Sequence, residues 1–442
     1  MDKQKKIEEM GNKSIPRLLA EYSSVTFCAL LFSALYNIVD TLFVSRGVGD
    51  SAMGGVSVVF PFMILQGAFA QAVGGGAASI ISRHLGKKEY ENAGNITANA
   101  MLLFYTTTIL ISIVGLIFIT PILKIMGAEG EIMPYAKDYF TIILLSNVFS
   151  TGFSSIIRAE GRMKYSLLIW LIPTAINIAL DGLFIYALHM GVKGAALATA
   201  MCQFTSFCMS VLFFTRLSAQ KFTKIKISIK RIFDIISAGV PVLIQMGSMS
   251  VIFLIINRIL SQFSGAQGIT IFAYVSKIIT LAVVPINAVA QAVSPISGYN
   301  IGAGRQKRVK QTLITSVSFC EIYAVIAFLL SFIISDRLIS FFTSDISIIE
   351  SGGNALLILS PSLFFAPFTV VAGSYFLSAG KKLSASAVSL CIPLMLFCAI
   401  ALLSNKFGIN GIWISIPISC AIAGAITFLP AIISVKKIKE GS

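Results

Sequence analysis

Two aspartates, Asp40 and Asp181, stand inside otherwise apolar stretches of this 442-residue chain. If those stretches lie in lipid, each carboxyl costs at least about 2.5–3.5 kcal/mol on insertion scales, so its default reading is a functional one. Each has polar companions at helical spacing. Tyr36 and Asn37 precede Asp40 at i−4 and i−3, and Asn177 precedes Asp181 by one turn on the same face. Thr199 lies at a comparable depth in the apolar stretch that returns after Asp181. Two carboxylates, a carboxamide and a hydroxyl form a set of hard oxygens suited to a small cation such as Na+. The same set can hold a proton, because two close carboxylates in low dielectric resist joint ionisation. The plainer alternative has Asp40 facing interfacial water and Asp181 bonding a neighbouring helix. A second candidate is the pair Lys277 and Glu321, both near mid-depth of their stretches. It is expected to be a structural salt bridge, with substrate binding or conformational coupling as the lesser reading.

Other chemistry is poorly represented. The seven cysteines all fall in apolar stretches with no CxxC spacing, so they read as small core residues and imply neither disulfide nor zinc. His84 and His189 belong to opposite ends of the apolar stretches, so no catalytic constellation is expected and the chain is not read as an enzyme. Gly74-Gly75-Gly76 has no Walker sequence around it and is not a phosphate loop. No cofactor is expected, and no resident metal beyond a transported Na+ at Asp40, Asn177, Asp181 and Thr199.

The elements that must position these residues are membrane helices. The chain is 56% hydrophobic and 12% charged, with a mean hydropathy of +0.87, outside the balance of soluble domains. Crossing a bilayer core takes about 20 apolar residues. Stretches of that kind recur at 18–44, 52–82, 94–119, 132–157, 166–188, 192–216, 235–261, 268–298, 309–334, 346–376, 384–404 and 409–434, which predicts an all-α polytopic protein of twelve transmembrane helices. The net charge of +15 comes from short basic clusters between apolar stretches, without the aromatic interleaving of a nucleic-acid surface. Most of the 34 lysines and arginines fall on one side if the N-terminus is cytoplasmic, so both termini are expected there. The charged start, Met1 to Arg17, leads into a stretch too long for a signal-peptide core, and no cleaved leader is expected. Nine prolines, from Pro61 to Pro417, fall within the predicted helices. Most read as packing features and a few as hinges.

The chain also repeats itself. Ala70-Gln71-Ala72-Val73 returns as Ala290-Gln291-Ala292-Val293, and Ala159-Glu160-Gly161-Arg162 is answered by Ser378-Ala379-Gly380-Lys381. Ile172-Pro173 and Gly191-Val192-Lys193-Gly194 recur as Ile392-Pro393 and Gly408-Ile409-Asn410-Gly411. One offset of about 217–220 residues relates all four. Six helices per repeat is an even number, so both halves enter from the same side, as two six-helix bundles related by a pseudo-two-fold axis along the membrane normal. The expected lobes are 1–217, carrying the cation site, and 218–442. The cleft between two such lobes is the natural substrate site, with access alternating as they rock.

Leu35 to Gly49 (LYNIVDTLFVSRGVG) and Ala288 to Arg308 (AVAQAVSPISGYNIGAGRQKR) resemble the multidrug and toxic compound extrusion (MATE) transporters, and the likeness extends over the whole chain. The resemblance implies efflux of cationic or amphipathic compounds in antiport with Na+ or H+, by a protein of the inner membrane expected to act as a monomer. In one branch of that family, residues matching Asp40, Asn177, Asp181 and Thr199 form a cation site in the first lobe. The second half has Asn257 where the first has Asp40, and no acid at the place of Asp181, so ion coupling is expected in the first lobe alone. The alternative within transport is a lipid-linked precursor flippase of the same superfamily.

Overall fold

The computed structural model describes the backbone of residues 2–435 except 48–49, 127, 129, 131, 151, 221, 223–225 and 344. Side chains are described for the same residues apart from 2–6, 33–47, 50–54, 57, 60–61, 64, 249–251, 253–254, 257–258, 261–262, 264–267, 269–270 and 273. Helices account for all regular structure among the described residues: α1 (Asp2–Asn12), α2 (Ile15–Gly47), α3 (Asp50–Gly86), α4 (Tyr90–Ile117), α5 (Ile119–Ile125), α6 (Ile132–Ser146) and α7 (Ser154–Ala159). They continue with α8 (Met163–Asp181), α9 (Gly191–Leu212), α10 (Ile229–Gly302), α11 (Gln306–Ser340), α12 (Ile346–Leu359), α13 (Ser362–Ser378) and α14 (Lys382–Val435).

In lipid a helix satisfies its backbone internally, which is why apolar sequence of this length takes no other form. Among the described residues eight helices are long and apolar enough to cross a bilayer, and α12 with α13 makes a ninth, bent by 49°. Two of the helices are too long for one crossing. The 74 residues of α10 would run to about 110 Å if straight, against a core of about 30 Å. It covers the two stretches predicted at 235–261 and 268–298. In the same way α14 covers 384–404 and 409–434, turning at Gly408 (φ 56°, ψ −131°), a conformation open to glycine and strained for other residues.

The predicted stretch 132–157 is not one helix. After α6 the chain makes a 3₁₀ turn at Asn147–Phe149 and passes through extended Ser150 (ψ 144°) before α7 begins. The stretch 346–376 breaks at Ser360–Pro361, where proline withholds a backbone donor. The fourth crossing of each repeat is therefore the interrupted one.

The repeat is visible in the backbone itself. Left-handed residues occur in matched positions: Lys88 (φ 61°) with Gly304 (φ 70°), Gly161 (φ 75°) with Gly380 (φ 71°), and Gly191 (φ 59°) with Gly408 (φ 56°). Each pair is about 217 residues apart.

The chain divides into two compact units, one of residues 1–9 and 28–239, the other of residues 10–27 and 240–442. Residues 10–27, expected with the first lobe, pack with the second unit. Each unit has its own apolar core. In the first, Val59, Leu123, Phe140, Ile143 and Ala196 are fully buried; in the second, Leu260, Val275, Ile339 and Ile412 are. Outward-facing residues remain apolar too, as with Ile117, Ile333 and Leu383, exposed by 67%, 74% and 88%, which suits a surface wetted by lipid.

Glycines set the closest approaches in the first unit. A Cβ on Gly76 would meet the Ile235 carbonyl oxygen at 2.6 Å and the Gly239 nitrogen at 2.9 Å, and one on Gly74 would strike the Gly152 carbonyl. The glycine triplet of α3 thus serves helix packing, in the manner of small-residue contacts between membrane helices.

Candidate functional site

α8 ends at Asp181, and the chain passes there into a π-helical turn over Gly182–Ala187 before bending back into α9. Such turns inside helices often mark functional positions. Within α8, Pro173 lacks the N–H that would reach the Ile169 carbonyl; Ser206 on α9 offers its hydroxyl to that oxygen at 3.5 Å. α8 and α9 pack directly against each other, which sets the face carrying Asn177 and Asp181 toward the interior.

Asn177 and Asp181 are both at 0% exposure and Thr199 at 7%. Counted from the bend at 188–190, Asp181 lies about 10 Å along α8 and Thr199 about 13 Å along α9, so the hairpin places them at similar depth. The Thr199 hydroxyl donates to the Ala195 carbonyl at 3.1 Å, which leaves its oxygen lone pairs to face a cation. Asp40, Tyr36 and Asn37 belong to α2, and their side chains lie outside the described residues.

The same unit buries further polar groups that sequence reasoning passed over. Asn147, in the 3₁₀ turn packed on α9, is fully buried, and neither atom of its amide has a hydrogen-bond partner among the described residues. Neither atom of the Asn177 amide has one either, nor has Gln203 Oε1, one turn beyond Thr199. A buried polar group left unpaired costs about 1–3 kcal/mol, so each of these is a place where a bound ion or water would be stabilising. Two amide oxygens, a hydroxyl and a carboxylate suit a hard cation such as Na+. The signal that could have found Asn147 is the polar Ser146-Asn147 step within an otherwise apolar run.

The second unit shows no comparable set among its described residues. Among its described residues only Ser297 Oγ and Glu321 Oε1 are buried without a partner. The expected Lys277–Glu321 ion pair is not formed. Lys277 stands on the exposed side of α10 with Nζ 5.8 Å from the ring centre of Phe342, a cation–π contact, while Glu321 is half-buried on α11. The ammonium and the carboxylate thus stand in different surroundings. Phe104, Phe153 and Phe214 pack edge to face inside the first unit, with centroids 5.4 and 6.2 Å apart, and belong to its core.

The family model described as MatE matches the chain twice, over residues 26–183 and 241–400. Among curated relatives, Multidrug export protein MepA of Staphylococcus haemolyticus (strain JCSC1435) is 24% identical over 90% of this chain and 89% of its own. Multidrug export protein MepA of Staphylococcus aureus (strain MRSA252) is 24% identical over 92% of each chain. Among solved structures, the outward-facing conformation of a multidrug resistance MATE family transporter of the MOP superfamily superposes with a TM-score of 0.89 at 24% identity, over 97% of this chain and 98% of that one.

Proposed function

Because the chain belongs to the MatE family of transporters, we propose that it exports small organic cations or amphipathic compounds across the inner membrane in antiport with Na+ or H+. The observation that carries the coupling is the buried set of Asn177, Asp181, Thr199 and Asn147 in the first unit, oxygen-rich and with two whole amides unpaired among the described residues. The names of the relatives, multidrug export proteins, support the substrate class.

On this reading Asp40 and Asp181 share the incoming ion, with Asn177 and Thr199 as neutral ligands and Tyr36 and Asn37 in support. An ion can bias the direction of access only by binding one state better than the other. A carboxylate supplies that difference: without a cation its charge is poorly tolerated in a dry interior, and with one it is neutralised. The two lobes that alternate, expected from the sequence as 1–217 and 218–442, are taken as the two compact units of the structure, in a monomer with both termini cytoplasmic.

The test is dye efflux in inverted membrane vesicles under separately imposed Na+ and pH gradients. One gradient is expected to drive accumulation, and Asp40→Asn and Asp181→Asn each to abolish it with the protein still present in the membrane. Undiminished efflux in both variants would refute the assignment. A lipid-flipping assay run beside it separates export of soluble compounds from translocation of a lipid-linked precursor.

A further inference from the structure

The connection from α9 into α10 is held down along its described length by side chains of the first unit. The Glu160 carboxylate, between α7 and α8, accepts from Ser218 Oγ at 2.6 Å and from the Ala219 N–H at 2.9 Å. Thr97 donates to Gln220 Oε1 at 2.5 Å. Farther on, Asn95 Oδ1 accepts from the Lys226 N–H at 2.7 Å, while Asn99 Nδ2 donates to the Lys226 carbonyl (2.9 Å) and Asn99 Oδ1 accepts from the Ser228 N–H (2.9 Å). Asn95, Thr97 and Asn99 sit at alternate positions near the start of α4 and act like the edge of a sheet, donating and accepting as a backbone would.

Glu160 is the odd member of this set. It is fully buried, and its repeat counterpart is Ala379, so the second half has no such carboxyl. Its close contacts are the Ser218 hydroxyl and the Ala219 amide, with a weaker one to the Gln220 side chain, and no cation lies within salt-bridge distance among the described residues. Of the charged groups on the elements around it, Arg158 turns to Ser155 and Ser166, Arg83 and His84 of α3 turn to Ser79 and Glu89, and Arg216, just past the end of α9, is exposed. Arg162 contributes only a field weaker than either hydrogen bond, and α4 meets the connection with neutral groups. Burial pushes the Glu160 carboxyl up to about 7, against the pull of its hydrogen bonds.

We infer that Glu160 is a proton-dependent latch on the connection between the two repeats: neutral, it holds Ser218 and Ala219 against the first unit, and on losing its proton it lets them go. The neutral acid can donate to Ser218 Oγ while its second oxygen accepts from Ala219. The carboxylate can only accept, and it carries a buried charge that water would solvate better than two hydrogen bonds do. A carboxyl that binds its proton more tightly when latched than when open makes opening more frequent as pH rises between the two affinities, and constant above both. On the efflux reading, which this regulation rests on, the export rate then responds to the pH of that aqueous face.

The experiment is amide hydrogen exchange of the full chain in lipid nanodiscs from pH 5 to 8, read at Ala219 and Gln220 and corrected for the intrinsic pH dependence of exchange. The expected result is a rise in opening of at least about tenfold between pH 5 and 7.5, levelling above about 7. Glu160→Gln keeps both hydrogen bonds without an ionisable group, so its opening should stay low and flat. Ser218→Ala should raise opening while keeping the pH response, which guards against a Glu160 variant that fails to fold. Flat opening in the unaltered chain, or the same pH response in Glu160→Gln, overturns the latch. No transported compound enters this measurement, so its outcome for Glu160 stands apart from the fate of the efflux reading.

Discussion

Asn147 and Asn177 each bury a carboxamide with no described partner, a burden of about 1–3 kcal/mol apiece if nothing binds there. A leucine of similar volume removes that burden together with the ligand. In Asn177→Leu the unfolding midpoint in cation-free buffer is therefore expected to rise, while the stabilisation gained from the coupling ion is lost. Thermal unfolding with and without Na+, and across pH, checks this; ion-dependent stabilisation that survives in the variant would remove Asn177 from the site. The burial of Asn177, Asp181 and Thr199 was legible because an ionisable residue in an apolar run is costly and so draws attention to its neighbours. Asn147 was not, since one neutral polar residue near the end of such a run is cheap enough to pass as an interfacial group. The pairing of Lys277 with Glu321 failed for another reason: residue counting gives depth along a helix but not direction around it. The two substitutions Lys277→Ala and Glu321→Gln should add in stability to within about 0.5 kcal/mol, as they do for groups out of contact, and a larger coupling in a double-mutant cycle would contradict the observed separation.

At the scale of elements, the apolar stretches located the helices but not their interruptions. Breaks at 147–150 and 360–361 fall where backbone groups lose helical partners, and hydropathy is silent about hydrogen bonding. The glycine triplet of α3 is a similar case. The lack of a Walker sequence rules out a phosphate loop, but that Gly76 faces the backbone of Ile235 and Gly239, which cannot shift as a side chain can, is a matter of the folded structure. Adding even a methyl group there forces α3 and the start of α10 apart. Gly76→Ala is expected to cost about 1–3 kcal/mol, in the range of core overpacking, whereas Gly67→Ala, with open space around its Cβ position, should cost nothing and gain a little helix propensity. Equal melting temperatures for the two variants would show that the close approach does not matter to stability.

At the scale of the molecule, the duplication was legible as one offset shared by several motifs, and the matched left-handed residues repeat it in the backbone. The assignment of chain to unit was not, because sequence order says nothing about which bundle a terminal segment joins. Residues 10–27 pack with the second unit, and the contacts that hold them are specific. The last carbonyls of α1 are taken up by side chains at the α10–α11 turn: Asn300 Nδ2 donates to Met10 at 3.1 Å, Arg305 Nη1 to Gly11 at 2.5 Å, and Arg308 Nη2 to Lys13 at 2.6 Å and Met10 at 3.2 Å. Arg308 Nε also donates to Asn300 Oδ1 at 3.0 Å, so the guanidinium both fixes the asparagine and caps the helix end. Two cations at a helix C-terminus also complement its partial negative charge. Removing one side chain should therefore detach the segment. Arg308→Ala forfeits three charge-assisted hydrogen bonds, for which about 1.5–3 kcal/mol is expected after partial rescue of the exposed carbonyls by water. Limited proteolysis should then cut near Asn12–Lys13 faster than in the unaltered chain. Lys310→Ala, which removes an exposed cation from the same helix, is the control that should leave the cut rate unchanged. Equal protection of the segment in both variants would mean that its burial, with Met10, Ile15 and Leu19 at 0% exposure, holds it without the capping contacts.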